Sequence, residues 1–205
     1  MKTKGLLIVI SGPSGAGKGT VCKALLEKND FWISVSATTR EPRDGEIDGV
    51  NYYFLTRDDF QSKIKSKDFL EYAEVYGNYY GTPKKSALDA MNLGKDVILE
   101  IDIQGALKVK ENYHEGVFIF ILPPSMEELK HRIINRGSET KESLVTRFKS
   151  AYKEINYISK YNYAVVNDTV EDAVKKIESI IIAEKCRVDK VESEILKSKE
   201  GIIHE

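Results

Sequence analysis

The stretch "VISGPSGAGKGT", residues 9 to 20, constrains this chain more than any other. An apolar run, Leu6 to Ile10, leads into a glycine-rich turn and then into the helix-like "TVCKALLEK". That is the strand–loop–helix context of a phosphate-binding P-loop, G-x-x-x-x-G-K-[ST]. Gly12, Gly17 and Lys18 fit the motif. Its glycines let backbone N–H groups approach phosphate oxygens, while the helix N-terminus and Lys18 add positive potential. The segment Gly12, Pro13, Ser14, Gly15, Ala16, Gly17, Lys18, Gly19 and Thr20 is therefore the candidate nucleotide cradle. Position 19 is glycine where the motif has a hydroxyl that ligates Mg²⁺, so the metal must rely on nucleotide oxygens, water and acidic groups elsewhere. Mg²⁺ keeps several waters readily, which makes such an arrangement chemically reasonable.

A P-loop needs a parallel sheet behind it. The continuous apolar runs "DVILEI" (96–101), "VFIFIL" (117–122) and "YAVVN" (163–167) suit strands covered by helices on both faces. Ser125 with Glu128, and Thr169 with Asp172, carry capping-box spacing ahead of helical runs. The alternation predicts an open, doubly wound α/β sheet with ligands at its carboxyl edge. Glu100 and Asp102 stand two apart at the end of one strand, on one face, where a metal beside bound phosphates would find them. Asp102 is the proposed metal contact.

Residues 33 to 82 break the rhythm. "ISVSATT", "NYYFLT", "FLEYAEVYG" and "YYGT" are short, aromatic and β-rich, with turn signals at Asp44-Gly45, Asp48-Gly49 and Gly77-Asn78. They predict a small antiparallel subdomain inserted after the first helix. Within it, Arg40 and Arg43 lie near a turn, with Tyr52 and Tyr53 following, a grouping able to grip a second phosphate. The polar "NRGSETKES" (135–143) predicts a second insertion between helices, and residues 185–205 read as a charged helical extension.

With 205 residues, 41% hydrophobic and 31% charged, the chain has the balance of one soluble α/β domain. A formal net charge of -1 argues against a nucleic-acid polymer as partner. No apolar run approaches the ~20 residues that span a bilayer. Cys22 and Cys186 form no metal-ligand spacing, and the expected compartment is a reducing cytoplasm. The histidines at 114, 131 and 204 share no local spacing and read as surface residues.

Taken together, "GPSGAGKGT" (12–20), "SVSATTREPRDGEIDGVNYYF" (34–54), "GNYYGT" (77–82), "EIDIQG" (100–105), "RGSET" (136–140) and "VND" (166–168) resemble the guanylate kinase family of P-loop nucleoside-monophosphate kinases. The resemblance runs from Leu6 to about residue 184. It implies one domain, 1–184, with a core (about 1–32, 95–134 and 160–184), a GMP-binding lobe (about 33–94) and a helical lid (about 135–159). The implied reaction is Mg²⁺-dependent transfer of the γ-phosphoryl group of ATP to GMP, by a monomer or homodimer. Carried over by position, Arg40, Arg43, Tyr52 and Tyr80 hold the GMP phosphate, and Ser36, Glu71, Thr82 and Asp102 read or orient guanine. Lys18, Arg43, Asp102 and the lid arginines Arg136 and Arg147 serve the transfer, and Asn167 lies near adenine. Two other readings stay open at this point: a catalytically silent guanylate-kinase-like peptide-binding module, and a P-loop kinase for another small metabolite.

Guanine has a physical reason to prefer Glu71. Its pairing edge offers two adjacent N–H donors that one carboxylate accepts, whereas adenine presents a bare ring acceptor there. Sites built on such hydrogen bonds discriminate by ~10⁴-fold or more.

Overall fold

The computed structural model describes residues 4–75, 77–134 and 141–191, without the side chains of 141–147. Five strands form a parallel sheet: β1 (Leu7–Ser11), β2 (Trp32–Ile33), β7 (Val97–Glu100), β8 (Val117–Leu122) and β9 (Tyr163–Val166), in the order β2-β7-β1-β8-β9. The P-loop strand is central, with Val9 paired to Leu99 on one side and to Phe118 on the other. The order reverses beside β1, and such a switch point opens a crevice at the carboxyl ends of the strands.

Both faces are covered, which is why the strands read as unbroken apolar runs. Ile8 and Ile10 pack with Val21, Cys22 and Leu25 of α1 (Lys18–Lys28) and with Val174, Ile177 and Ile181 of α7 (Val170–Lys185). Leu7 and Val9 face the opposite way, onto Ala87, Ala90 and Met91 of α3 (Lys84–Asn92) and Ala106 and Val109 of α4 (Ile103–Asn112). Each fully buried aliphatic side chain of this kind contributes about 1.5–3 kcal/mol. The start signals hold: Ser125 Oγ accepts from Glu128 N at 3.1 Å ahead of α5 (Met126–Ile134), and Thr169 Oγ1 accepts from Asp172 N at 3.2 Å ahead of α7.

The inserted segment forms a second sheet, β4-β3-β6-β5, from β3 (Ala37–Thr38), β4 (Tyr53–Phe54), β5 (Phe69–Val75) and β6 (Asn78–Pro83), with α2 (Arg57–Lys65) against it. The expected antiparallel sheet is mixed: β3 pairs antiparallel with β6, and β5 with β6, but β3 and β4 run parallel. The reason lies in residues 39–52, which return the chain to its starting end instead of reversing it in a tight hairpin. Gly45 and Gly49, at φ 83° and 75°, serve that irregular loop, while Gly77, at φ 79°, sits in the β5–β6 hairpin. The run "ISVSATT" is likewise divided, since Ile33 pairs with Ile98 in the main sheet and Ala37 with Gly81 in the small one. At its other end, the segment 33–94 closes with α3 packed on the main sheet.

Helix α6 (Lys141–Ile155) and a 3-10 turn (Asn156–Lys160) precede β9. Residues 135–140, and with them Arg136, lie outside the described set. Arg147 falls within α6, and its side chain lies outside that set too. Of the expected C-terminal extension, residues 188–191 are helical and 192–205 are not described. Among the described residues, no helix is long and apolar enough to cross a membrane.

Candidate functional site

The loop from Gly12 to Thr20 leaves β1 and enters α1 through Gly17, whose φ of 90° places it in the left-handed region. An added Cβ at Gly17 would stand 2.4 Å from Asn167 Nδ2, and one at Gly12 would stand 2.3 Å from Ile121 O. Both glycines are required by close approach as well as by backbone conformation. The Asn167 side chain, almost fully buried, donates to Ala16 O at 2.9 Å. Its amide thus braces the loop from the end of β9. Arg132 of α5 reaches the Asn167 carbonyl with both terminal nitrogens at 3.3 Å and pairs with Glu128 at 2.8 Å.

Lys18 is folded back onto its own loop, its Nζ donating to Gly12 O at 2.6 Å and to Pro13 O at 3.2 Å. Burial pulls its pKa down from the ordinary lysine value, against the nearby carboxylates of Glu100, Glu154 and Asp102. The loop opens into a cleft of about 240 Å³ lined by Gly12, Ser14, Gly15, Gly17, Lys18, Gly19, Glu100, Asp102, Ile103 and Glu154. A larger, shallower groove of about 370 Å³ lies between β9 and α7, but Ala164, Val165, Lys175, Lys176, Ser179 and Ile180 offer it no phosphate-cradling loop.

Position 19 carries an ordinary helical φ, so its glycine is not demanded by backbone conformation. A Cβ there would stand 3.3 Å from Glu100 Oε1. The acid facing the missing hydroxyl is therefore Glu100. Asp102, the sequence-based candidate, lines the same cleft but also caps α4, its Oδ1 accepting from Gly105 N at 2.7 Å. Glu100 borders Cys22 as well, whose thiol is pushed well above its usual range by burial and by that carboxylate. No cluster of three or more metal-ligating side chains exists among the described residues. A polar cleft lined by Glu100, Asp102 and Glu154, without such a cluster, fits a metal that arrives with its nucleotide and keeps its water.

A second candidate anion site lies beside the small sheet. Arg40 clasps both oxygens of Glu46 at 2.8 Å, and the backbone N–H of Arg43 reaches Glu46 Oε2 at 2.8 Å. The Arg40 guanidinium lies 5.5 Å from the Tyr52 ring centre, and the Tyr52 and Tyr80 rings meet edge-on at 6.0 Å. Arg40, Tyr52 and Tyr80 are thus brought together, while Arg43, exposed, reaches the group through its backbone bond to Glu46 and its charge, which acts on that carboxylate. Sequence reasoning missed Glu46 and Glu154, each an internal carboxylate on a candidate anion-binding group. The spacing of Glu46 from Arg43 in "RDGE" was a usable signal; nothing near Glu154 in the chain pointed to Ser14.

Glu71 of β5 and Thr82 of β6 face each other across the hairpin, with Thr82 Oγ1 donating to Glu71 Oε1 at 2.8 Å. Glu71 is 8% exposed. Burial raises its pKa to about 7; the Asp102 carboxylate adds to the rise, and the Thr82 hydroxyl and Lys108 oppose it. Ser36, half-buried, lies just before β3, and its carbonyl accepts from Tyr53 N at 2.9 Å.

Comparison with known proteins agrees with this geometry. The family model described as guanylate kinase matches residues 4–184. The guanylate kinase of Clostridium tetani (strain Massachusetts / E88) is 75% identical over 98% of this chain and 97% of its own. That of Clostridium acetobutylicum is 75% identical over 100% and 98%. A crystal structure of guanylate kinase from Anaplasma phagocytophilum, 38% identical, superposes with a TM-score of 0.76 over 93% of this chain and 91% of that one.

Proposed function

The chain belongs to the guanylate kinase family, and from that premise we propose how its residues divide the phosphorylation of GMP between them. As a family member it is a nucleoside-monophosphate kinase. The donor in this reading is ATP, accompanied by Mg²⁺. The observation that carries the reading is the pair of anion cradles, P-loop and Arg40–Arg43, with the Glu71–Asp102 carboxylates close by.

ATP phosphates bind backbone N–H groups of the loop from Ser14 to Thr20, and Lys18 turns from the Gly12 and Pro13 carbonyls to the phosphate oxygens. Thr20, about 100° round the helix from position 19, is better placed to hydrogen-bond a phosphate than to replace the missing ligand. Glu100 and Asp102 would hold Mg²⁺ through water, and the ion, when bound, supplies positive charge at the phosphate oxygens. Arg40, Arg43, Tyr52 and Tyr80 grip the GMP phosphate, with Glu46 yielding its place. Glu71 accepts from guanine, while Ser36, Thr82 and Asp102 orient that end. Asn167 braces the loop at the nucleoside side. Phosphoryl transfer is catalysed mainly by positioning and charge neutralisation, which Lys18, Arg43, Arg136 and Arg147 provide. Closure of the surrounding segments excludes water, whose attack would hydrolyse ATP.

A coupled ADP-release assay with GMP, AMP, a sugar and no acceptor tests this. Fast, GMP-dependent ADP release is expected; release with another acceptor alone, or none at all, overturns it. Changing Arg136 or Arg147 to Ala should lower kcat far more than it weakens ATP binding.

A further inference from the structure

Gly105 occupies the first turn of α4, where glycine has no conformational justification. Its φ is not positive, and a glycine inside a helix costs about 1 kcal/mol relative to alanine. An added Cβ would meet no backbone within van der Waals range among its three nearest atoms. It would meet Glu71 Oε2 at 3.0 Å, Asp102 Oδ1 at 3.3 Å and Glu71 Cδ at 3.3 Å. Those separations are tighter than ordinary contact, so one carboxylate would have to shift by a few tenths of an ångström.

Neither is free to shift without loss. Glu71 is buried and receives the Thr82 hydroxyl on its other oxygen at 2.8 Å. Asp102 receives the N–H of Gly105 itself at 2.7 Å while capping α4. Helix α4 packs directly on β5, so the helix start and the Glu71 strand approach as one assembly. The bare Cα of Gly105 is the surface on which the two carboxylates meet.

We propose that Gly105 is a specificity-determining residue for guanine: by lacking a side chain it lets Glu71 stand beside Asp102, in register with two adjacent N–H donors. The inference rests on Glu71 as the guanine acceptor. Two-point acceptance is sensitive to small displacements because hydrogen bonds weaken steeply with angle. Gly105 acts through Glu71 and Asp102, and is a positioning residue.

Gly105→Ala tests this, with Glu71→Gln as the control. Gly105→Ala should keep or raise the melting temperature, because alanine favours the helix, and should leave KM for ATP unchanged. KM for GMP should rise by about tenfold, and the preference in kcat/KM for GMP over inosine monophosphate, which lacks the 2-amino donor, should shrink. In a Glu71→Ala background, where only Asp102 remains to be displaced, adding Gly105→Ala should raise KM for GMP by far less than it does in the parent protein. If Glu71→Gln shrinks the preference but Gly105→Ala leaves it intact, the inference fails and Glu71 remains the reader. If Glu71→Gln leaves the preference intact too, the guanine assignment itself falls. A lowered melting temperature with equal rises in both KM values would make Gly105 merely structural and overturn the proposal.

Discussion

The backbone N–H of Ser14 donates to Glu154 Oε2 at 3.2 Å, so a carboxylate from the last turn of α6 stands on an amide of the phosphate-binding loop. It shares the cleft with Lys18 and lies near enough to raise the lysine's proton affinity. A nucleotide phosphate that claims the same N–H must displace Glu154 and so acts on α6, the helix that contains Arg147. Glu154→Gln removes the competing charge while keeping an acceptor of similar shape. ATP should bind more tightly, by roughly threefold to tenfold, a modest share of the Coulomb energy of two like charges in a partly exposed site. Isothermal titration at constant ionic strength checks it; unchanged or weaker binding would mean that Glu154 does not compete with phosphate.

Glu71 predicts a pH dependence. Its pKa of about 7 in the substrate-free site means that it is largely protonated below neutrality, whereas accepting both guanine N–H groups requires the ionised form. GMP binding must then release a proton as pH falls through 7. KM for GMP should climb by up to about tenfold per pH unit below that point, while kcat at saturating GMP changes less. Initial rates across pH 5.5–8.5 (about three units, chosen to bracket the shifted carboxyl) would show it. A flat KM profile would mean that the carboxyl titrates well below neutrality.

Lys18→Met should lower kcat by on the order of 10²-fold or more in a protein that still folds, since the lysine charge acts on oxygens that gain charge in the transition state. Near-normal turnover with an unchanged melting curve would take the P-loop lysine out of the mechanism.

Position 19 separates the two acids at the strand end. Glu100→Gln should raise the Mg²⁺ concentration for half-maximal rate by several-fold, on the order expected for losing a residue that orients metal-bound water. Asp102→Asn should show a smaller Mg²⁺ effect and a larger change in KM for GMP, because asparagine keeps the helix cap but alters the neighbour of Glu71. Gly19→Ser should fold normally, as helical φ tolerates serine, with Glu100 giving way by a few tenths of an ångström. Loss of all activity in a folded Gly19→Ser protein would show that the open space before Glu100 is itself required.

Local pattern was enough for everything whose cause is local. The run "LLIVI" with "GPSGAGKGT" determined a buried strand, a turn of left-handed glycines and a helix start, because each depends on side chains and φ angles within a few residues. The same holds for Ser125 and Thr169 as caps; Arg40 meets Tyr52 as the local pattern suggested, but its second aromatic neighbour is Phe54 rather than Tyr53, and Tyr80 joins from β6. What passes between distant segments was settled by packing. That Glu154 rests on Ser14, that Glu100 rather than Asp102 faces position 19, that β3 and β4 run parallel, and that Asn167 braces Ala16 all depend on where folded elements come to lie. Gly105 shows the division most clearly. In the sequence it is a weak helix residue, and only the seating of α4 on β5 brings its bare Cα against two carboxylates, since the energy of close approach belongs to distance in space and not to spacing along the chain.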